Sequence, residues 1–323
     1  MGAERLLAVG SLAYDDIETP AAAGRALLGG SLAHFSAAAA LTGALPVLVA
    51  VVGEDFRAED LAWLARLPAD LSGVERRPGR SFRWGGRYGP DCAGRETLFT
   101  ELGVFADFAP SLGPQQADCE LVFLANIQPA LQARVLDAAR GRRFAAMDTM
   151  NLWIASAPAD LLAVMARVDL LFINDEEARQ LTGERNLVRA GRALLARGPR
   201  FCIVKKGEHG VLLFAAGEEA VYPCPAFPVD ALVDPTGAGD AFAGGVMGQL
   251  AREGRWDLGA LRRALLTGSA VASLAVEGLG LDGLRGQRPA ALTARRRALA
   301  ERLRAPAAPG RGRSGVPGGN VLG

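Results

Sequence analysis

The 323-residue chain is 50% hydrophobic and 22% charged, with a formal net charge of +1. That is enough apolar material for a large core. The near-neutral balance lacks the basic footprint of a nucleic-acid binder, and the absence of any run of about 20 apolar residues argues against a membrane span.

Met1-Gly-Ala-Glu-Arg5 leads straight into an apolar run, without the long apolar stretch and basic flank of a secretory signal. Cys92, Cys119, Cys202 and Cys224 form no CxxC pair, and the two histidines, His34 and His209, lie far apart. A zinc site is therefore not expected. The cysteines read as free thiols of a reducing compartment, and a cytoplasmic protein is expected.

Leu6 to Val9 reads as a buried strand ended by Gly10. Gly29-Gly30 opens an alanine-rich helix over 31–44. A second buried strand spans 46–52, and 57–67 has leucines on one helical face. Between 74 and 108 the texture changes to alternating aromatic, polar and apolar residues broken by Gly, Pro and Asp. These residues read as strands of a small β lid, with 12–28 supplying another hairpin. The α/β rhythm then returns, with strands at 121–125, 144–147, 170–173 and 201–204 and helices between them. Two short strands, 210–214 and 219–224, read as an edge hairpin. Helices are expected from 239 to about 251, over 258–276 and over 292–304. The expected fold class is three-layer α/β/α, with a mostly parallel central sheet and a small β-sheet lid. One domain should cover 1–304. The Pro-, Gly- and Arg-rich 305–323 reads as a disordered tail.

The strongest local feature is Asp234-Pro-Thr-Gly-Ala-Gly-Asp-Ala-Phe242. Gly237 and Gly239 permit a tight turn and close backbone approach to a ligand. A helix starting there would point free N–H groups at an anion. Asp240 beside such a turn would repel phosphate unless it has a chemical task. It either caps the helix or accepts a proton from an attacking hydroxyl. The segment is neither a P-loop nor a dinucleotide fingerprint.

This block resembles the hallmark of the ribokinase-like, or PfkB, family of carbohydrate and nucleoside kinases. The resemblance extends over roughly residues 5–295, with several motifs in the family's order. It implies ATP-dependent transfer to an alcohol group, with Asp240 as catalytic base and Gly237, Ala238 and Gly239 forming the anion hole. It implies that Asp15, in Gly10-Ser-Leu-Ala-Tyr-Asp15, holds acceptor hydroxyls, with Asp16 as an adjacent alternative. Gly29 and Gly30 match the di-glycine block that flanks the acceptor. His34 stands where many members carry asparagine, and reads either as an acceptor contact or as a core-facing histidine. Asn174 and Glu177 match the family's N-x-x-E motif, which implies that they organise Mg²⁺ through water near the phosphates. Lys205, Gly207, Thr236 and Gly268 are the remaining ATP-side candidates. A K⁺ site beside Val233-Asp234 is left open.

The acceptor is expected to be a small sugar, with a nucleoside as the alternative, or a non-catalytic sugar- or nucleoside-binding role on the same fold. Asn126, just past a strand, is a further acceptor candidate. Phe82, Arg83, Trp84, Arg87 and Tyr88 form an aromatic and basic strand suited to stacking or phosphate contact. The same strand would also serve a lid-to-lid homodimer.

Overall fold

A computed structural model describes residues 4–92 and 94–303. The expected tail at 305–323 lies outside them. Nine strands form the large sheet. In chain order they are β1 (Leu6–Val9), β4 (Pro46–Gly53), β5 (Asp70–Arg77), β8 (Leu121–Leu124), β9 (Phe144–Met147), β10 (Leu170–Asn174), β11 (Phe201–Lys205), β12 (Val211–Ala215) and β13 (Tyr222–Cys224). Their spatial order is β13-β12-β11-β10-β9-β8-β1-β4-β5. The pairings from β11 to β5 are parallel, while β12 and β13 add antiparallel at one edge.

Burial on both faces explains the continuous apolar runs of the central strands. Leu6 and Ala8 of β1 enter one core, and Leu7 and Val9 enter the other. The same alternation recurs in β8, where Leu121 and Phe123 oppose Val122 and Leu124, and in β10 and β11. The first core is closed by the helices Ser31–Thr42, Ala238–Glu253, Leu258–Ala275 and Pro289–Arg302. The second is closed by Pro129–Ala138, Pro158–Met165, Asp175–Thr182 and Leu187–Leu195. The result is the expected three-layer α/β/α fold.

Two helices of the first layer meet unusually closely. Every residue of Ser31–Thr42 is buried, and its alanines face Ala238–Glu253. A Cβ on Gly244 would stand 2.3 Å from the Phe35 carbonyl oxygen, and one on Gly248 would stand 2.5 Å from the Thr42 hydroxyl. Phe35 stacks on Phe123 at 4.4 Å, and Phe172 meets both Phe123 and Phe242 edge-on. This aromatic row fixes the start of helix Ala238–Glu253 over the carboxyl edge of the sheet.

The small sheet contains β2 (Ala13–Glu18), β3 (Ala23–Gly29), β6 (Phe82–Tyr88) and β7 (Arg95–Glu101), in the order β3-β2-β6-β7. Its extent differs from the expected 74–108 at the start, because Val74 to Arg77 pair parallel with Ala50 to Gly53 at the edge of the large sheet. An edge strand is partly exposed and polar, as Val74-Glu-Arg-Arg77 is, so it reads in sequence like a strand of a half-exposed small sheet.

Candidate active site

The carboxyl edge of an open parallel sheet is where strands deliver side chains into a cleft. Here β10 ends on Asn174 and β11 on Lys205, while Asp148 follows β9 and Asn126 follows β8. Helix Ala238–Glu253 begins opposite them. A Cβ on Gly239 would lie 3.3 Å from Lys205 Nζ.

The start of that helix is set by Gly237, which adopts φ +73° and gives the helix no side-chain cap. Two features demand glycine there. The left-handed backbone disfavours any Cβ, and a Cβ would come within 2.3 Å of the His34 ring. Asp234 braces the turn from below. It is buried, accepts from the Thr236 N–H at 2.8 Å, and accepts from the Gly280 N–H at 2.8 Å. Asp240 is the third helical residue. Its carboxylate has no hydrogen-bond partner among the described residues and keeps part of its surface open.

Asp15 enters from β2 and is buried. Its Oδ2 accepts from the Gly30 N–H at 3.3 Å. A Cβ on Gly29 would sit 1.9 Å from that same oxygen, and Gly30 takes φ +83°. One glycine of the pair therefore makes room for a carboxylate, and the other turns the chain into the helix at Ser31.

Three carboxylates here are held unusually far toward the protonated form. Burial pushes Asp15 up to about 7, partly offset by the Gly30 N–H. Burial also pushes Glu177 to about 7, with Lys205 pulling it back. Asp240 rises to about 7 through burial and the nearby Asp148, again opposed by Lys205. Lys205 is the cation among them. Burial works against its charge, but Asp148, Glu177 and Asp240 outweigh burial and raise its pKa. Its Nζ lies 2.6 Å from Asp148 Oδ2. Shifts of this size in a cleft mark a candidate functional site.

Asn174 and Glu177 form a reciprocal capping box at the start of helix Asp175–Thr182. The Glu177 N–H donates to Asn174 Oδ1 at 2.8 Å, and the Asn174 N–H donates to Glu177 Oε2 at 2.9 Å. These residues are therefore structural in the ligand-free protein while also bordering the cleft. Among the described residues no group of three or more His, Cys, Asp or Glu is arranged to hold a metal by itself.

The small sheet reaches into the same cleft. The Tyr88 hydroxyl and Thr236 Oγ1 are 3.0 Å apart and hydrogen-bonded. Arg95, the cross-strand partner of Tyr88, lies over the Trp84 ring at 5.0 Å and lowers the pKa values of Asp15, Glu177 and Asp240.

Other candidates fall elsewhere. The Asn126 Oδ1 accepts from Trp153 Nε1 at 2.9 Å, and its Nδ2 contacts Met150 Sδ at 3.0 Å, so both ends of the amide are engaged. Gly268, the adenine-wall candidate, lies where two helices cross: a Cβ there would meet Phe242 and Val246 at 2.8 Å. Tight helix packing alone accounts for a glycine at this position. Gly207 opens a short turn beyond β11 at φ +53°, with open space where a Cβ would stand. His34 is 1% exposed and lies behind Gly237, with no surface open to an acceptor. Asp148 and Arg95 complete the electrostatic set. Neither belongs to a sequence motif, and only the sheet-edge position of Asp148 hints at it.

This arrangement combines an anion-receptive helix start, a free carboxylate within it and an opposing buried carboxylate, all on a ribokinase-like fold. Such an arrangement suits phosphoryl transfer. Residues 94–283 match the model of the pfkB family of carbohydrate kinases. The cytidine kinase of Thermococcus kodakarensis is 30% identical over 254 residues, 76% of this chain and 88% of that protein. The aminoimidazole riboside kinase of Salmonella typhimurium is 35% identical over 108 residues, 33% of each chain. Among solved structures, the nucleoside kinase of Methanocaldococcus jannaschii superposes with a TM-score of 0.73 at 19% identity, covering 92% of this chain and 100% of that one. The chain belongs to the pfkB family, and it is an ATP-dependent kinase that phosphorylates a hydroxyl group. Among the described residues no helix is long and apolar enough to cross a membrane.

Proposed function

We propose that the chain is a nucleoside kinase, transferring the γ-phosphoryl group of ATP to a sugar hydroxyl of a nucleoside. The observation that carries the chemistry is Asp240: a partly open carboxylate in the first turn of a helix without a side-chain cap, without a hydrogen-bond partner among the described residues, and coupled electrostatically to Asp148, Lys205 and buried Asp15. The nucleoside assignment reverses the order expected from sequence, where a simple sugar came first. It is supported by the cytidine kinase and the riboside kinase among the relatives. On the small-sheet face Trp84 pairs in register with Asp15 and carries Arg95 over its ring, an aromatic and basic pair beside the acceptor carboxylate.

In this reading Asp15 binds sugar hydroxyls, and Gly29 and Gly30 hold it in place. Asp240 orients the acceptor hydroxyl and takes its proton as the oxygen attacks the γ-phosphorus. The bond from that phosphorus to the β,γ-bridging oxygen breaks, and ADP departs with that oxygen. The backbone N–H groups of Gly237 and Gly239 receive the charge on the transferring group, the Ala238 N–H being donated to the Pro235 carbonyl. Lys205 exchanges its pairing with Asp148 for the phosphates. Asn174 and Glu177, through water, would hold Mg²⁺, which would supply charge neutralisation to the phosphates. The small sheet closes over the acceptor and excludes water.

The test is ADP formation across cytidine, other nucleosides, ribose, fructose and sugar phosphates with MgATP, with and without K⁺, the products identified by ³¹P NMR. A nucleoside should give the highest kcat/KM. Preference for a free sugar would sink the nucleoside assignment. Tight acceptor binding without ADP formation would instead point to a binding protein.

A further inference from the structure

His34 sits in the first full turn of helix Ser31–Thr42, among alanines and leucines. Neither Nδ1 nor Nε2 has a hydrogen-bond partner among the described residues, although both are buried. Burial lowers its pKa to about 4, so the ring is neutral near pH 7. A neutral imidazole carries one N–H donor and one acceptor nitrogen. Leaving both unmade in a core carries a desolvation penalty that leucine at the same place would avoid. A state of the protein in which one of these bonds is made would offset the penalty.

The position of the ring indicates that state. Its Cγ and Nδ1 are the atoms that a Cβ on Gly237 would strike, so the ring lies directly behind the anion-receptive turn. The Pro235 carbonyl accepts from the Ala238 N–H, and the Gly237 carbonyl accepts from the Ala241 N–H. The Thr236 carbonyl between them has no such partner. It shares a peptide plane with the Gly237 N–H. In a trans peptide these two groups point in opposite directions, and glycine lets the plane rotate.

We propose that His34 is a positioning residue for the Gly237 turn: when phosphate occupies the cleft, the Thr236–Gly237 peptide rotates its N–H toward the phosphate and its carbonyl toward His34 Nδ1–H. Nucleotide binding then makes a hydrogen bond that the free protein lacks, and the imidazole holds the donor in place during transfer. This rests on the reading of the Gly237–Gly239 turn as the phosphate site.

Only two histidines are present, and His209 is exposed, so ring ¹⁵N NMR resolves His34 against an internal reference, assigned with H209Q. The probe is the β,γ-imido analogue of ATP with Mg²⁺, and saturation is followed independently by thermal stability. The expected result is a shift of the His34 ring nitrogens, with at least about tenfold slower exchange of its N–H, and no change at His209. A saturated, stabilised protein with unmoved His34 signals overturns the proposal and leaves the phosphate site standing. No stabilisation by the analogue removes both. Kinetics give a second readout: H34L should lose about tenfold in kcat without a lower Tm in the ligand-free protein, and H34N should restore most of it by supplying a donor. Wild-type kcat in H34L overturns the proposal. Should H34L fail to fold, H34N and the ring spectra still decide.

Discussion

Two helices begin at the same cleft, each with a carboxylate as its third residue, and they use it in opposite ways. Helix Asp175–Thr182 starts from Asn174, whose side chain closes a reciprocal box with Glu177. Helix Ala238–Glu253 starts from Gly237, which has no side chain to offer, and Asp240 is left without a hydrogen-bond partner among the described residues. A cap satisfies the first N–H groups of a helix internally. Without one, those donors and the nearby acid remain available to a ligand. The position of a carboxylate within a first turn therefore says little about its role. The residue at the N-cap decides it.

The largest expected effect comes from breaking the free member of the pair. D240N should lower kcat by roughly 10²–10⁴-fold while the protein stays folded, read by coupled ADP release. Its effect on stability should have the opposite sign. Asp15, Glu177 and Asp240 bind protons more tightly folded than unfolded, each near pH 7. Their contribution to stability is complete below the usual carboxylate range and is lost as pH rises through about 7. D240N removes one of these groups, so its Tm should exceed that of the wild type at pH 8 and converge with it at about pH 4.

The charge balance is the next target. With Asp240 required as the anion, kcat/KM should rise with pH to a plateau above about 7. K205M removes the cation that favours that anion, so the acidic limb of the profile should move to higher pH, and the KM for ATP should increase. An unmoved limb would detach Lys205 from the Asp240 equilibrium.

G237A tests the turn itself. A Cβ there needs a left-handed backbone and meets the His34 ring, so stability should fall by about 1–3 kcal/mol in urea unfolding. H34A should recover part of that loss in the double variant, because it removes the clash but not the backbone strain. The smallest effect belongs to the capped helix. N174A should cost about 1 kcal/mol of stability, with a smaller loss of kcat than D240N. A loss as large as that of D240N would show that the cap residue also handles phosphate chemistry.

Much of this comparison is legible in sequence. Continuous apolar runs such as Leu121 to Leu124 announce strands buried on both faces, and Gly237-Ala-Gly239-Asp240 announces a tight helix start with an acid in it. Pairings between distant segments are not legible. Lys205 and Asp148 are 57 positions apart, and Tyr88 and Thr236 are 148 apart; only the sheet order and the placement of the small sheet bring them together. Val74 to Arg77 misleads because a polar, partly exposed strand does not say which sheet it joins. Gly268 is ambiguous for a related reason, since a glycine required by a neighbouring helix looks the same as one required by a ligand.

Gly29 and Asp15 are two strands' worth of chain brought into one volume: the carboxylate occupies the place of the missing side chain. Position 29 is consequently closed to mutation in a way that φ alone would not impose. Even alanine, the smallest possible step, evicts the acid. A saturation library should leave this column almost empty in any screen for activity, and no change at position 15 should rescue it, because Asp15 itself serves the acceptor. The two positions behave as a single heritable character, one residue's chemistry written into the emptiness of the other.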